Sequence, residues 1–256
     1  MDVSDAALLV VAGLAAGTVN AIAGGGSLIT FPALLATGLG PVPANVTNSV
    51  AVSPGYVSSV VGSRADLPRG RRLFALVPTA IVGAVAGCLL LLATPARAFE
   101  VVVPFLVLGA AAVLAFQNQL RQVVGHPRSM SEQRRTVSLH AIVGAGAVYG
   151  GYFGAALGVM LVASLGLVLD ETMARISALK NAVSAVVGCV TVVAFAISGK
   201  VDWVDVLVLA PATIVGGYAG ARIARRLPSQ VLRSIIVVFG LIVGLVLLWR
   251  AFHHSS

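Results

Sequence analysis

The chain has 256 residues, of which 58% are hydrophobic and only 10% are charged. A soluble domain would carry about 25% charged residues to cover its surface, so a water-soluble globule is excluded. The net charge of +8 comes from arginines in short clusters between apolar runs, the look of cytoplasmic loops and not of a nucleic-acid-binding face.

The runs Leu73–Ala93, Val101–Phe116, Val183–Ile197, Val204–Ala221 and Ile235–Ala251 carry almost no charge. Most of them approach the ~20 residues that cross a bilayer. A mean hydropathy of +1.00 agrees. The expectation is a polytopic membrane protein. Met1-Asp2-Val3-Ser4-Asp5 lacks the basic start of a signal peptide, so the first apolar segment should be kept. Cys88 and Cys189 both fall inside apolar segments, which excludes a disulfide framework.

In chain order the segments are a glycine-centred stretch at 6–37, then 44–62, 73–93 and 98–117. After the polar stretch Gln117–Ser138 come 139–169, again glycine-centred, then 174–198, 203–221 and 230–251. The second set repeats the first. Val77-Pro78-Thr79-Ala80-Ile81-Val82-Gly83-Ala84-Val85-Ala86-Gly87 returns 133 positions later as Ala210-Pro211-Ala212-Thr213-Ile214-Val215-Gly216-Gly217-Tyr218-Ala219-Gly220. Pro95 falls on Pro228, Gly26 on Gly158, and Ala44-x-x-Thr47 on Ala174-x-x-Ser177 at nearly the same offset. The expected division is therefore repeat 1 over 1–117, a cytoplasmic linker over 118–138, and repeat 2 over 139–256.

The arginines give the orientation. In the first half the loop between the second and third segments is basic, with Arg64, Arg69, Arg71 and Arg72. In the second half the equivalent loop is acidic (Asp202, Asp205), and the next one carries Arg222, Arg225 and Arg226. By the positive-inside rule the halves lie in opposite orientations. Inversion needs an odd number of crossings per half, so each glycine-centred segment must return to its own side. Split at its glycines, it gives two arms of ~15 residues, or ~22 Å of helix, short of the ~30 Å hydrocarbon core. The expected fold class is an all-α polytopic membrane protein of two inverted repeats. Each repeat is a re-entrant glycine hairpin plus three transmembrane helices, with the hairpin tips meeting near the midplane. This arrangement puts the C-terminus, with Arg250, His253 and His254, outside.

The first tip reads Asn20-Ala21-Ile22-Ala23-Gly24-Gly25-Gly26-Ser27. Glycines in succession let the chain unwind, and unwound backbone at membrane depth must face protein or water. A helix restarting at Ser27 would aim its N-terminal N–H groups at an anion. The competing reading is small-residue helix packing. The second tip, Tyr149–Gly158, keeps Gly154 and Gly158 and adds Tyr152 as a hydroxyl donor. The second segments open with polar residues: Asn45, Thr47, Asn48, Ser49 and Ser53 in one half, Arg175, Ser177, Lys180, Asn181 and Ser184 in the other. Lys180 is one of two lysines in the chain and precedes a long apolar run. A cation at that depth serves as counter-charge for an anion, or else snorkels to the interface. Every acidic residue lies in a loop or at a segment end, which argues against a cation carrier. A Ser27–His140 hydrolase dyad fails because no glycine follows the serine, and no metal-ligand cluster or cofactor site is legible.

These motifs resemble the TauE/SafE sulfite-exporter family of bacterial and archaeal membrane transporters. The resemblance rests on Gly24-Gly25-Gly26 followed by Pro32, on Ala44-x-x-Thr47-Asn48-Ser49, on Ala174 through Leu179-Lys180-Asn181, and on the paired third segments. It implies transport of sulfite, sulfoacetate or other sulfonates across the inner membrane. The second glycine motif, Gly154-Ala155-Ala156-Leu157-Gly158, departs from a glycine triplet. The expectation is an anion transporter of the bacterial inner membrane and no enzyme. Its partners are a small anionic substrate and the lipid bilayer, with no nucleic acid; a homodimer stays open. A passive anion channel and a non-transport assembly or sensor subunit are the alternatives. The candidate substrate site is Asn20, Gly24, Gly25, Gly26, Ser27, Thr47, Asn48, Ser49, Tyr152, Gly154, Gly158, Ser177, Lys180 and Asn181.

Overall fold

The computed structural model describes residues 2–22, 24–67, 71–116, 119, 131–155, 157–223, 234, 237–238 and 241–249. Among them the regular elements are helices, with no strand: α1 Val3–Ile22, α2 Ser27–Ala36, α3 Pro41–Gly62, α4 Arg71–Ala93, α5 Ala96–Ala115, α6 Glu132–Tyr152, α7 Leu157–Val168, α8 Met173–Ser198 and α9 Trp203–Ile223. Residues 241–249 are helical as well. Part of the segment expected at 230–251 lies outside the described residues, as do Arg69, Arg225, Arg226, Arg250, His253 and His254.

Among the described residues four helices have the length and hydropathy of a membrane span: α1, Leu73–Ala93 within α4, α8, and Trp203–Arg222 within α9. The protein is a multi-pass membrane protein. With 22 residues α3 is as long, but it is rich in Asn, Ser and Thr and buries them at the centre of the bundle. Lipid could not satisfy those groups, so neighbouring helices must.

Helix directions follow from contacts. Gly13 and Gly17 of α1 press on Ala212 and Gly217 of α9, and Thr18 hydrogen-bonds Gly216, so α1 and α9 run parallel. The pair α4 and α6 runs parallel too, through Thr79 on His140 and Gly87 on Val148. At the centre α3 and α8 cross antiparallel: Ser53 Oγ donates to Gly188 O at 3.2 Å, and Asn181 Nδ2 to Ser63 Oγ at 3.3 Å. Each half's first arm thus packs on the third segment of the other half.

Thr37, just past α2, hydrogen-bonds Asp205 at the start of α9. Since α9 starts at the same end as α1, the α1–α2 hairpin returns to the end it left. The α6–α7 hairpin does the same from the opposite end, where α3 finishes and α8 begins. That end gathers Arg64, Arg134, Arg175 and Arg222, while the other gathers Asp2, Asp5, Asp202 and Asp205.

The arms are unequal, contrary to the ~15-residue arms expected: α1 has 20 residues and α2 ten, α6 has 21 and α7 twelve. Capping explains the difference. The Ser131 hydroxyl accepts from Arg134 N, and Glu132 places an acidic group in the first turn, so α6 begins inside the polar stretch. Likewise α1 starts at Val3 with Asp5 in its first turn, and not at 6.

Candidate substrate site

Both first arms end where the chain needs glycine. Gly24 has φ +90°, and a side chain there would collide with the backbone of Gly158. The two hairpin tips therefore touch, backbone against backbone, at Gly24 and Gly158. Gly154, at φ +73°, makes the second break.

The N–H groups at the start of α2 are mostly spent within the tip. Asn20 Oδ1 accepts from Gly26 N at 2.7 Å, and the N–H groups of Leu28 and Ile29 turn back to Gly25 O and Gly26 O at 3.1 and 2.8 Å. The expectation of an open N-terminal anion nest is thus met only by the helix dipole and the Ser27 side chain.

Each half clips the hairpin of the other. Lys180 Nζ donates to Asn20 O at 2.5 Å and to Ala21 O at 3.3 Å, and Ser177 Oγ donates to Ala21 O at 3.4 Å. In the reverse direction, Asn45 Nδ2 donates to Tyr152 O at 3.0 Å. The carbonyls so capped close the C-termini of α1 and α6, where four C=O groups lack intrahelical partners and a positive charge is favoured. Lys180 is 0% exposed, so its ammonium reaches no interface.

Beside the tips lies a narrow cleft with a cavity volume of about 20 Å³, room for about one water. Its polar wall is formed by Ser27, Asn48, Ser49, Ser53, Ser184 and Thr191; its apolar wall by Val52, Phe153, Leu157 and Val187. Tyr56, hydrogen-bonded to Ser27, and the glycines 150, 154 and 188 complete it. Several hydroxyls are already engaged: Ser49 Oγ donates to Asn45 O and Ser53 Oγ to Ser49 O. Two donors remain available. Thr30 Oγ1 holds Asn48 Oδ1 at 2.5 Å, which leaves the Asn48 NH₂ to the cleft. Ser184 Oγ is fully buried, lines the cleft and has no partner. A buried polar group without a partner costs about 1–3 kcal/mol, so an occupant that accepts from it is favoured.

Of the residues expected at the site, Ser27, Asn48, Ser49 and Gly154 line the cleft. Asn20, Gly24, Gly25, Gly26, Gly158, Ser177 and Lys180 build the tip junction beside it. Three sit apart. Thr47 accepts from Asp202 N at 2.9 Å, towards the acidic end. Tyr152 lends its carbonyl to Asn45 while its ring packs on Phe99 at 5.8 Å. Asn181 is tied to Ser63. Ser53 and Ser184, counted above among polar openings but not in the site, do line it, as do Tyr56 and Thr191. The spacing Ser49–Ser53 and Ser184–Gly188–Thr191 keeps one helix face polar and is the signal that finds them. Ser27 and His140 form no dyad: Ser27 meets Tyr56, and His140 Nδ1 meets Thr79 Oγ1 at 2.7 Å. A larger cavity between α6 and α7, lined by Ile142, Ala145, Met160 and Leu161, is too apolar to orient an anion.

A family profile described as sulfite exporter TauE/SafE matches residues 9–247. The "Probable membrane transporter protein YfcA" of Escherichia coli strain K12 is 27% identical over 242 residues, covering 91% of this chain and 86% of that protein. A "Probable membrane transporter protein" of Haemophilus influenzae is 25% identical over 235 residues, covering 91% and 90%. The "Probable membrane transporter protein ORF9" of Sinorhizobium sp is 28% identical over 253 residues, covering 94% and 92%. No solved structure matches significantly.

Proposed function

Because the chain belongs to the sulfite exporter TauE/SafE family of membrane transporters, we propose that it carries a small sulfur-containing anion, such as sulfite, sulfoacetate or another sulfonate, across the bacterial inner membrane. The observation that carries this reading is the cleft beside the two glycine tips, lined by Asn48 and by Ser184 with its unpartnered hydroxyl. Both groups donate, and both suit an oxyanion. Ser27 and Ser49 assist on the polar wall. Lys180 and Asn20 act one layer back: they hold the first hairpin in place.

The two halves work as inverted repeats around this cleft. Support comes from the opposite directions of α3 and α8, from hairpins entering at opposite ends, and from the reciprocal clips of Lys180 and Asn45. Folds of this kind bind at the repeat interface and move one half against the other. The arginine-rich end faces the cytoplasm. No covalent step is needed, so the protein is read as a carrier and not as an enzyme. Purified protein in proteoliposomes should take up radiolabelled sulfite or ethanesulfonate with saturable, trans-stimulated kinetics. Flux that stays linear in concentration would mark a channel, and no flux of any anion would defeat the reading.

A further inference from the structure

We propose that the C-terminal end of α6 binds an exchangeable monovalent cation, such as sodium, in the place that the Lys180 ammonium takes at the end of α1. The site goes beyond the anion reading above, and its binding can be measured without transport.

The two hairpins end alike and are neutralised differently. At an offset of 132 residues Gly158 corresponds to Gly26, Tyr152 to Asn20 and Lys180 to Asn48. Both α1 and α6 are long arms that stop among buried residues just before a positive-φ glycine. Each therefore leaves its last carbonyls, and the negative end of its dipole, away from water. At α1 a full positive charge meets them, with Lys180 Nζ on Asn20 O and Ala21 O. At α6 the group on Tyr152 O is the neutral Asn45 amide, at 3.0 Å. The residue that corresponds to Lys180 is the neutral Asn48, whose Oδ1 is held by Thr30.

Asn45 supplies the second, independent observation. It is 1% exposed, and its Oδ1 has no hydrogen-bond partner. That oxygen belongs to the amide that touches Tyr152 O, so it lies at the end of α6, and it can only accept. Hard cations take oxygen ligands, and half-helix C-termini at a repeat interface hold sodium in this way. The oxygens named here are neutral, so the site suits one positive charge and not two. Asn181 Oδ1 is unpartnered as well, but it lies beside Ser63 at the basic end of the bundle, next to the exposed Arg64.

The α6 end belongs to the opposite side. Asn45 is in the first turns of α3, and two residues on Thr47 accepts from Asp202 N. Among the described side chains there, Asp2, Asp5, Glu100, Asp202 and Asp205 outnumber Arg97 and Lys200. Such a mouth concentrates cations. Phe153 and Gly154, which follow Tyr152 in the chain, line the anion cleft. A cation at the α6 end therefore sits beside the anion's wall, and each ion offsets the other's charge.

The test is the unfolding midpoint of the full chain in detergent, with sodium chloride replacing choline chloride at constant ionic strength. The midpoint should rise saturably, by about 3 °C or more at ten times the dissociation constant. Asn45→Ala should lose the rise. Asn45→Asp, which gives the oxygen a formal charge, should reach half of its rise at about threefold less sodium or lower. Equal midpoints in sodium and choline would overturn the inference, and so would a sodium response that survives Asn45→Ala. Where Asn45→Ala does not fold, a half-point in Asn45→Asp equal to that of the unchanged protein overturns it. In proteoliposomes, radiolabelled ethanesulfonate uptake should be about fivefold faster or more with external sodium than with choline. Equal rates beside a sodium-responsive melt would overturn the coupling and leave the site standing. No uptake in either salt would overturn the transport reading, and the melt alone would then decide the site.

Discussion

Lys180 shows how far a residue's meaning depends on what faces it. From sequence, a lysine ahead of an apolar run offers two roles, a substrate counter-charge or a snorkelling cation. The fold gives it a third partner set, the end carbonyls of α1, because α8 crosses the other half's hairpin. That contact joins residues 160 apart in sequence, and no local pattern encodes it. Replacing Lys180 by Met keeps most of the volume and strands two buried carbonyls, at about 1–3 kcal/mol. Lys180→Met should therefore lower the unfolding midpoint in detergent, and Lys180→Gln, which keeps an N–H donor, should lower it less. Equal stability for all three proteins would remove Lys180 from the clip. Ser184 behaves in the opposite way. Its hydroxyl has no partner in the protein, so Ser184→Ala should raise the unfolding midpoint of the empty protein while weakening anion affinity by about 0.5–1.5 kcal/mol, or roughly two- to tenfold. A thermal melt in detergent measures the first, and isothermal titration on the folded variant the second.

The glycine breaks were the most legible elements, because a run of glycines announces itself within a few residues. The positive φ that the expected unwinding calls for is found at Gly24, +90°, and at Gly154, +73°. The arm lengths were not legible, since helix starts are set by caps, Ser131 at α6 and Thr172 at α8, and not by the hydrophobic pattern. Two glycines separate backbone freedom from packing. Gly38 also has positive φ, at +97°, but a side chain there would meet nothing within 4 Å, whereas one at Gly24 would strike Gly158. Gly38→Ala should cost only the left-handed penalty of about 1–2 kcal/mol and leave flux intact. Gly24→Ala should add a backbone collision between the hairpins and abolish flux. Similar unfolding midpoints and similar flux for the two variants would mean that the tips need not touch.

At the scale of the molecule, the orientation is read from the swapped basic loops, because charge placement is dictated by the bilayer and not by packing. The reciprocal packing of α1 on α9 and α6 on α4 was not, because small residues say only that helices approach closely, and not which helices. Single cysteines at Arg64, Arg134 and Arg222 should label only from the cytoplasm and one at Asp202 only from outside; Arg222 labelled from outside would break the inversion. The central claim is that the anion binds in the cleft beside the two tips, and accessibility at Ser184 tests it most directly. In a background with Cys189 replaced, Ser184→Cys should react with a small thiol reagent, lose flux on reaction, and be protected by ethanesulfonate at concentrations that saturate uptake. A cysteine there that reacts at the same rate with and without the anion, and still supports full flux once modified, would contradict the account.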